Sequence, residues 1–186
     1  MKKKIGELTF QIIPVMIGVY LGFIVSNWSN NKDQNSRKNM LIENISAEIK
    51  ENHKNIKASV QYHQKLRDSS RYYLKLNKTE IPEFFKGLKT LTLTNSAFET
   101  GIQTGLLNEL PIKKLQTLNR AYTSQGSYNE FGNILLSGLI RMDLLENKES
   151  VQKILQYLSI SMADVVEKER KLLREYKSAI NMLSEK

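Results

Sequence analysis

The sequence predicts an all-α protein: an N-terminal transmembrane helix that continues into a long-helix stalk and an antiparallel helical bundle. Three observations carry that reading. Leu8 to Trp28 holds no charged side chain. Apolar residues recur at helical spacing along most of the remaining chain, and a last segment from Val151 keeps an alternating four-three apolar repeat over about five heptads.

Residues 1–7 read as a basic tail and residues 8–28 as the membrane helix. At about 1.5 Å per residue, some twenty apolar positions cross roughly 30 Å of hydrocarbon. Lys2, Lys3 and Lys4 hold one end at the headgroups, and Trp28 is the interfacial aromatic at the other. A cleavable signal peptide opens the same way, but this run closes on Val25-Ser26-Asn27-Trp28, which is no small-x-small cleavage site. A buried core helix is shorter and carries a polar face, whereas only Gln11, Ser26 and Asn27 are strongly polar here.

With about 100° of turn per residue, Glu7, Gln11, Pro14, Gly18 and Gly22 share an arc of roughly 80°. They form the expected membrane-helix interface. Gly18 and Gly22 have the small-xxx-small spacing that lets a second helix approach closely, and Gln11 gains more from a bond across that contact than from facing lipid. Glu7 reads as a headgroup-level carboxylate favoured by the helix dipole.

The compact lysine cluster and short tail favour a cytoplasmic N-terminus and a periplasmic helical domain, in a bacterial inner membrane. Lys32, Arg37 and Lys38 on the far side weaken that bias. The absence of cysteine suits either redox compartment. Of the formal charge of +9, +2 sits in the first 28 residues and +7 beyond them. Such a balance suits an anionic lipid surface or an acidic partner. Nucleic acid is disfavoured, because the basic residues are interleaved with acids.

Residues 29–35 read as a polar hinge, and residues 36–186 as one helical bundle domain. Ile42, Ile45, Ile49 and Ile56 begin an amphipathic helix over 42–76, which Asn77 to Gly87 breaks, with Pro82 biasing Ile81 away from helical backbone. A short helix over 94–107 comes next, capped by Thr94 or Ser96, with Ser96-Ala-Phe-Glu99 in capping-box spacing. Pro111 stands at the first turn of a helix reaching Glu146. Gly126, Gly132 and Gly138 in it mark a kink near 124–127 or places where a neighbour packs closely.

The last helix, 149–185, has Ser150 as its expected cap. Its seam runs Leu155, Leu158, Met162, Val165, Glu169, Leu172, Tyr176, Ala179 and Leu183, and Glu169 is its one position that is not apolar. Asp164 with Lys168 and Glu167 with Lys171 stand at i,i+4 in the favourable order. The seam could meet helices of its own chain or those of a second protomer.

Motifs for bond-breaking chemistry are missing. His53 and His63 have neither Glu-x-x-His nor His-x-x-x-His partners, so no metal is expected. Ser150-Val-Gln-Lys153 matches Ser-x-x-Lys, but no Lys-Thr-Gly or Ser-Asp-Asn accompanies it. No phosphate loop, nucleophile elbow or dinucleotide fingerprint occurs. The chain is therefore expected to be no enzyme, to need no cofactor and to have no small-molecule substrate.

Ile5-Gly-Glu7, Ile17-Gly-Val19 and Asn27-Trp28 running into a charged helix resemble a bacterial family of short single-pass membrane-anchored helical proteins, known only as a domain of unknown function. Ser96-Ala-Phe-Glu99, Gly105 and Leu118 to Tyr122 are similar to its middle section, with Phe98 where that family usually carries tryptophan. The resemblance implies an N-terminal anchor and a helical extracytoplasmic domain. It supplies no activity.

The expected function is a non-enzymatic, membrane-anchored interaction or accessory subunit. Its partners would be the lipid bilayer and either further copies of itself or a larger membrane-protein complex. The alternative is an extracytoplasmic ligand-sensing bundle that signals through a partner.

Overall fold

The computed structural model describes residues 2–142 and 147–184, with side chains from Val15 onward. All of its regular structure is helical: α1 (Lys2–Lys75), α2 (Ser96–Gln103), a 3-10 turn (Leu106–Glu109), α3 (Ile112–Ile140) and α4 (Lys148–Ser184). No strand occurs among the described residues. The chain divides into two units, residues 1–41 and 42–186.

In the first unit the backbone of 29–35, expected as a hinge, is helical. Two exposed pairs bridge its end to the following turn: Arg37 meets Asp33 at 3.0 Å, and Lys38 donates to Asn35 at 2.9 Å. Among the described residues no helix is long and apolar enough to cross a membrane. Residues 8–14 of the expected span lie outside the described side chains.

The second unit is a bundle of three long helices. Tyr122 on α3 reaches Glu48 on α1 and Gln125 reaches Asn52, so these two run parallel. Tyr157 with Leu135 and Tyr176 with Gln125 set α4 antiparallel to α3. The α4 seam lies inside this single chain: Leu155, Leu158, Met162, Val165, Leu172, Tyr176 and Ala179 are fully buried, as are Ile45, Ile49, Ile56 and Leu66 on α1 and Leu118 on α3. Leu183, the last seam position, is only half-buried.

Helix ends follow local chemistry. α1 stops where Asn77 takes a left-handed φ of 56°, with Lys78 N–H on Tyr73 O and Asn77 N–H on Leu74 O, a Schellman arrangement. α3 begins behind Pro111, as expected, and ends at Ile140, short of the expected Glu146; residues 143–146 lie outside the described residues. The helical assignment is continuous through 124–127. A side chain at Gly132 would begin 3.2 Å from Thr90 Cβ, and one at Gly138 would collide with the Tyr157 phenol, whereas Gly126 has no neighbour within 4 Å. Two of the three glycines are thus close-packing positions.

Two expected caps are displaced. Asn147 Oδ1, not Ser150, accepts the Ser150 N–H at 2.9 Å, because Asn147 stands three residues ahead, at the position from which a side chain reaches that amide. At α2 the flanking Asn95 makes no capping bond to the backbone and donates to Glu99. Glu48, from α1, accepts from Ala97 N–H at 3.0 Å and Ser96 Oγ at 3.1 Å. A full negative charge at a helix N-terminus replaces a neutral hydroxyl there.

Candidate functional site

Three regions have the chemistry to matter: the exposed apolar part of α1, a buried polar cluster, and the face shared by α1 and α4.

Every residue from Val15 to Arg37 is exposed. Val19 is 70 % and Phe23 64 % open. Apolar surface of this extent is uncommon on a helix that faces water on all sides. Gly18 and Gly22 have no neighbour within 4 Å of where a side chain would start. Trp28 is 66 % exposed, with Lys32 Nζ 5.6 Å from its ring centre. Lys2, Lys3, Lys4, Glu7, Gln11 and Pro14 lie outside the described side chains.

The bundle interior holds a polar cluster that the sequence pattern only hinted at, through the single break in the α4 seam. Glu169 and His63 are both fully buried, with Oε1 and Nδ1 2.7 Å apart. Oε1 also accepts from Ser59 at 3.3 Å and Tyr128 at 3.2 Å, while Oε2 is buried without a partner. His63 Nε2 lies 2.8 Å from Leu88 O. A carbonyl only accepts, so Nε2 carries a hydrogen. Both ring nitrogens are committed, and neither is left to activate a nucleophile. Ser59 points at the carboxylate rather than the imidazole, so this is no Ser-His-acid relay.

These groups fasten the irregular segment between α1 and α2. Tyr62 donates to Gly87 O at 2.6 Å and accepts from Lys86 N–H. Asn129 grips Leu93 at both N–H and C=O, 3.1 Å each. Asn52 and Gln125 both donate to Thr94 O, and Tyr176 donates to Gln125 at 2.6 Å. Leu88 and Leu93 are buried between these contacts. Side chains thereby satisfy backbone groups that no sheet or helix pairs.

Burial, then the Glu48 carboxylate, pushes the Tyr122 phenol well above its usual range. Burial, then the Glu169 charge, does the same to Tyr128, and burial with Glu48 does so to Tyr176. Lys168, expected to pair with Asp164, donates instead to Ser127 at 3.1 Å and lies over Phe131. Among the described residues no group of three or more His, Cys, Asp or Glu could hold a metal ion.

Comparison with known protein families, with curated proteins and with solved structures finds no match to this chain.

Proposed function

We propose that the protein is a non-enzymatic, membrane-anchored interaction subunit: residues 8–28 span a bacterial inner membrane once, with the N-terminus cytoplasmic, and the bundle docks onto a partner. The observation that carries this reading is the all-round exposure of Val15 to Val25 on α1, in a stretch without a charged side chain from Leu8 to Trp28. Such a surface is stable in hydrocarbon and costly in water. The Gly18 and Gly22 positions leave room for a second membrane helix. The polar cluster supports the non-enzymatic half, since both nitrogens of its histidine are taken by the chain's own Glu169 side chain and Leu88 backbone.

Alkaline carbonate extraction of membranes tests the anchor: the full-length chain stays with the lipid pellet, and recovery in the supernatant overturns the reading. Gly18→Cys and Gly22→Cys, oxidised in native membranes, are expected to give crosslinks, whereas a Val19→Cys control on another face is not. Protease treatment of spheroplasts is expected to remove the bundle.

A further inference from the structure

α1 and α4 pack side by side, and along their outer line of contact runs a shallow groove. Ile42, Ala47, Ile180 and Leu183 line one hollow of about 380 Å³, together with Glu43 and Lys50. His53, Lys57, Leu173, Lys177 and Ile180 line the next, of about 460 Å³. Ile180 belongs to both, so the floor is continuous. From Ile42 to Lys57 it extends over about 22 Å of helix, four turns long. Ile42, Leu173, Ile180 and Leu183 are each half-buried, covered by the bundle on one side only.

Its charge is one-sided. Lys50, Lys57 and Lys177 stand on the rim, with Glu43 the single acid in the lining. None of the three lysines takes part in the bundle's described ion pairs. The half-buried His53 between them is held below the usual imidazole range, first by burial and then by the charges of Lys57 and Lys177. The middle of the groove thus sets Lys57 and Lys177 beside an apolar floor of Leu173 and Ile180.

We infer that this groove seats an acidic amphipathic helix of a partner protein, its apolar stripe on Leu173 and Ile180 and its carboxylates between Lys50, Lys57 and Lys177. Length, floor and rim fit that occupant together. A nucleic acid would use the lysines and leave the floor wet. A second copy brings a chain of net charge +9 against a basic rim. A bilayer surface is flat, whereas this floor is recessed between two helices. The inference deepens the docking half of the proposed function and is independent of the anchor.

The test uses the full-length chain in a neutral detergent and a labelled synthetic 21-residue helix with leucine at heptad a and d positions and glutamate on the flanks. Anisotropy is expected to show saturable binding that weakens with salt. Hydrogen exchange is expected to slow within 42–57 and 173–184, and the His53 imidazole resonance is expected to titrate at higher pH. Lys57→Glu with Lys177→Glu, both on the exposed rim, should lower affinity at least tenfold without changing the circular dichroism spectrum. Equal binding of a scrambled peptide of the same composition overturns the inference, as does equal binding of a lysine-flanked copy, or protection elsewhere on the bundle. A change of the chain's own oligomeric state in the double variant would assign the groove to a second copy and overturns it too. Failure of carbonate extraction to retain the chain would sink the anchor and leave this binding result unaffected.

Discussion

Glu169 Oε1 sits 2.7 Å from His63 Nδ1, on helices whose contact residues are 106 positions apart in sequence, with neither side chain reaching solvent. Because Nε2 is already hydrogen-bearing toward Leu88 O, one proton lies between Nδ1 and Oε1 and binds the two helices. The pair also organises Ser59 and Tyr128, so it is the point where α1, α3, α4 and the irregular segment meet.

Removing one partner leaves the other buried without its bond. His63→Leu and Glu169→Leu are each expected to cost about 3–5 kcal/mol, whereas the double variant should cost less than their sum by about 1–3 kcal/mol. Urea unfolding monitored by circular dichroism closes the cycle. Strict additivity would show that the two side chains are not coupled.

Alkaline stability depends on Tyr122, Tyr128 and Tyr176, whose ionised forms the fold disfavours. Unfolded tyrosines lose their protons near pH 10, so above that pH the folded chain holds more protons than the unfolded one and stability falls. With all three phenols involved, the slope approaches about 4 kcal/mol per pH unit. Below pH 10 these groups contribute no slope. The measurement is tyrosinate absorbance against pH: a cooperative late step coincident with loss of helical signal is expected. Smooth ionisation of all tyrosines in an intact fold would contradict the burial.

Period is the strongest signal in the sequence, and what it encodes is local. The α4 seam is legible because burial on one face repeats with the helix turn, and Glu169 announces itself by breaking that repeat. Its partner is not legible, since His63 reaches it only after the chain has folded back. The same holds for α2: Ser96 and Glu99 have the right spacing for a box, but tertiary packing brings Glu48 to the amide first. Ser150 loses its cap role to Asn147 by a local shift of three residues, which pattern alone resolves poorly. The polar run 29–35 reads as a break by composition, yet its backbone is helical, with Asp33 and Asn35 paired to Arg37 and Lys38 just beyond it.

The glycines of α3 give opposite expectations. Gly138→Ala pushes a methyl into Tyr157, whose hydroxyl donates to Leu135 O at 2.8 Å, and should cost about 1–3 kcal/mol. Gly126→Ala meets open space on an exposed helical face and should gain about 0.5–1 kcal/mol by restricting the unfolded chain. Denaturant midpoints at constant slope decide both. A neutral Gly138→Ala would mean that Tyr157 swings away freely.

Glu48 joins α1, α2 and α3 through three bonds: Tyr122 Oη at 2.6 Å, Ala97 N–H at 3.0 Å and Ser96 Oγ at 3.1 Å. Phe98 of α2 stacks on Tyr122 at 4.1 Å, so the short helix depends on this carboxylate at its start and on that ring along its face. A helix of eight residues is too short to hold itself together in water. Glu48→Ala removes the cap, worth about 0.5–2 kcal/mol, and frees the Tyr122 hydroxyl. The expected result is faster amide exchange over 96–103 with α4 amides unchanged, because only α2 loses its terminal charge. Glu48→Gln, which keeps an acceptor oxygen, should restore part of the protection. Uniform acceleration across all helices would instead make Glu48 a general core residue with no special claim on α2.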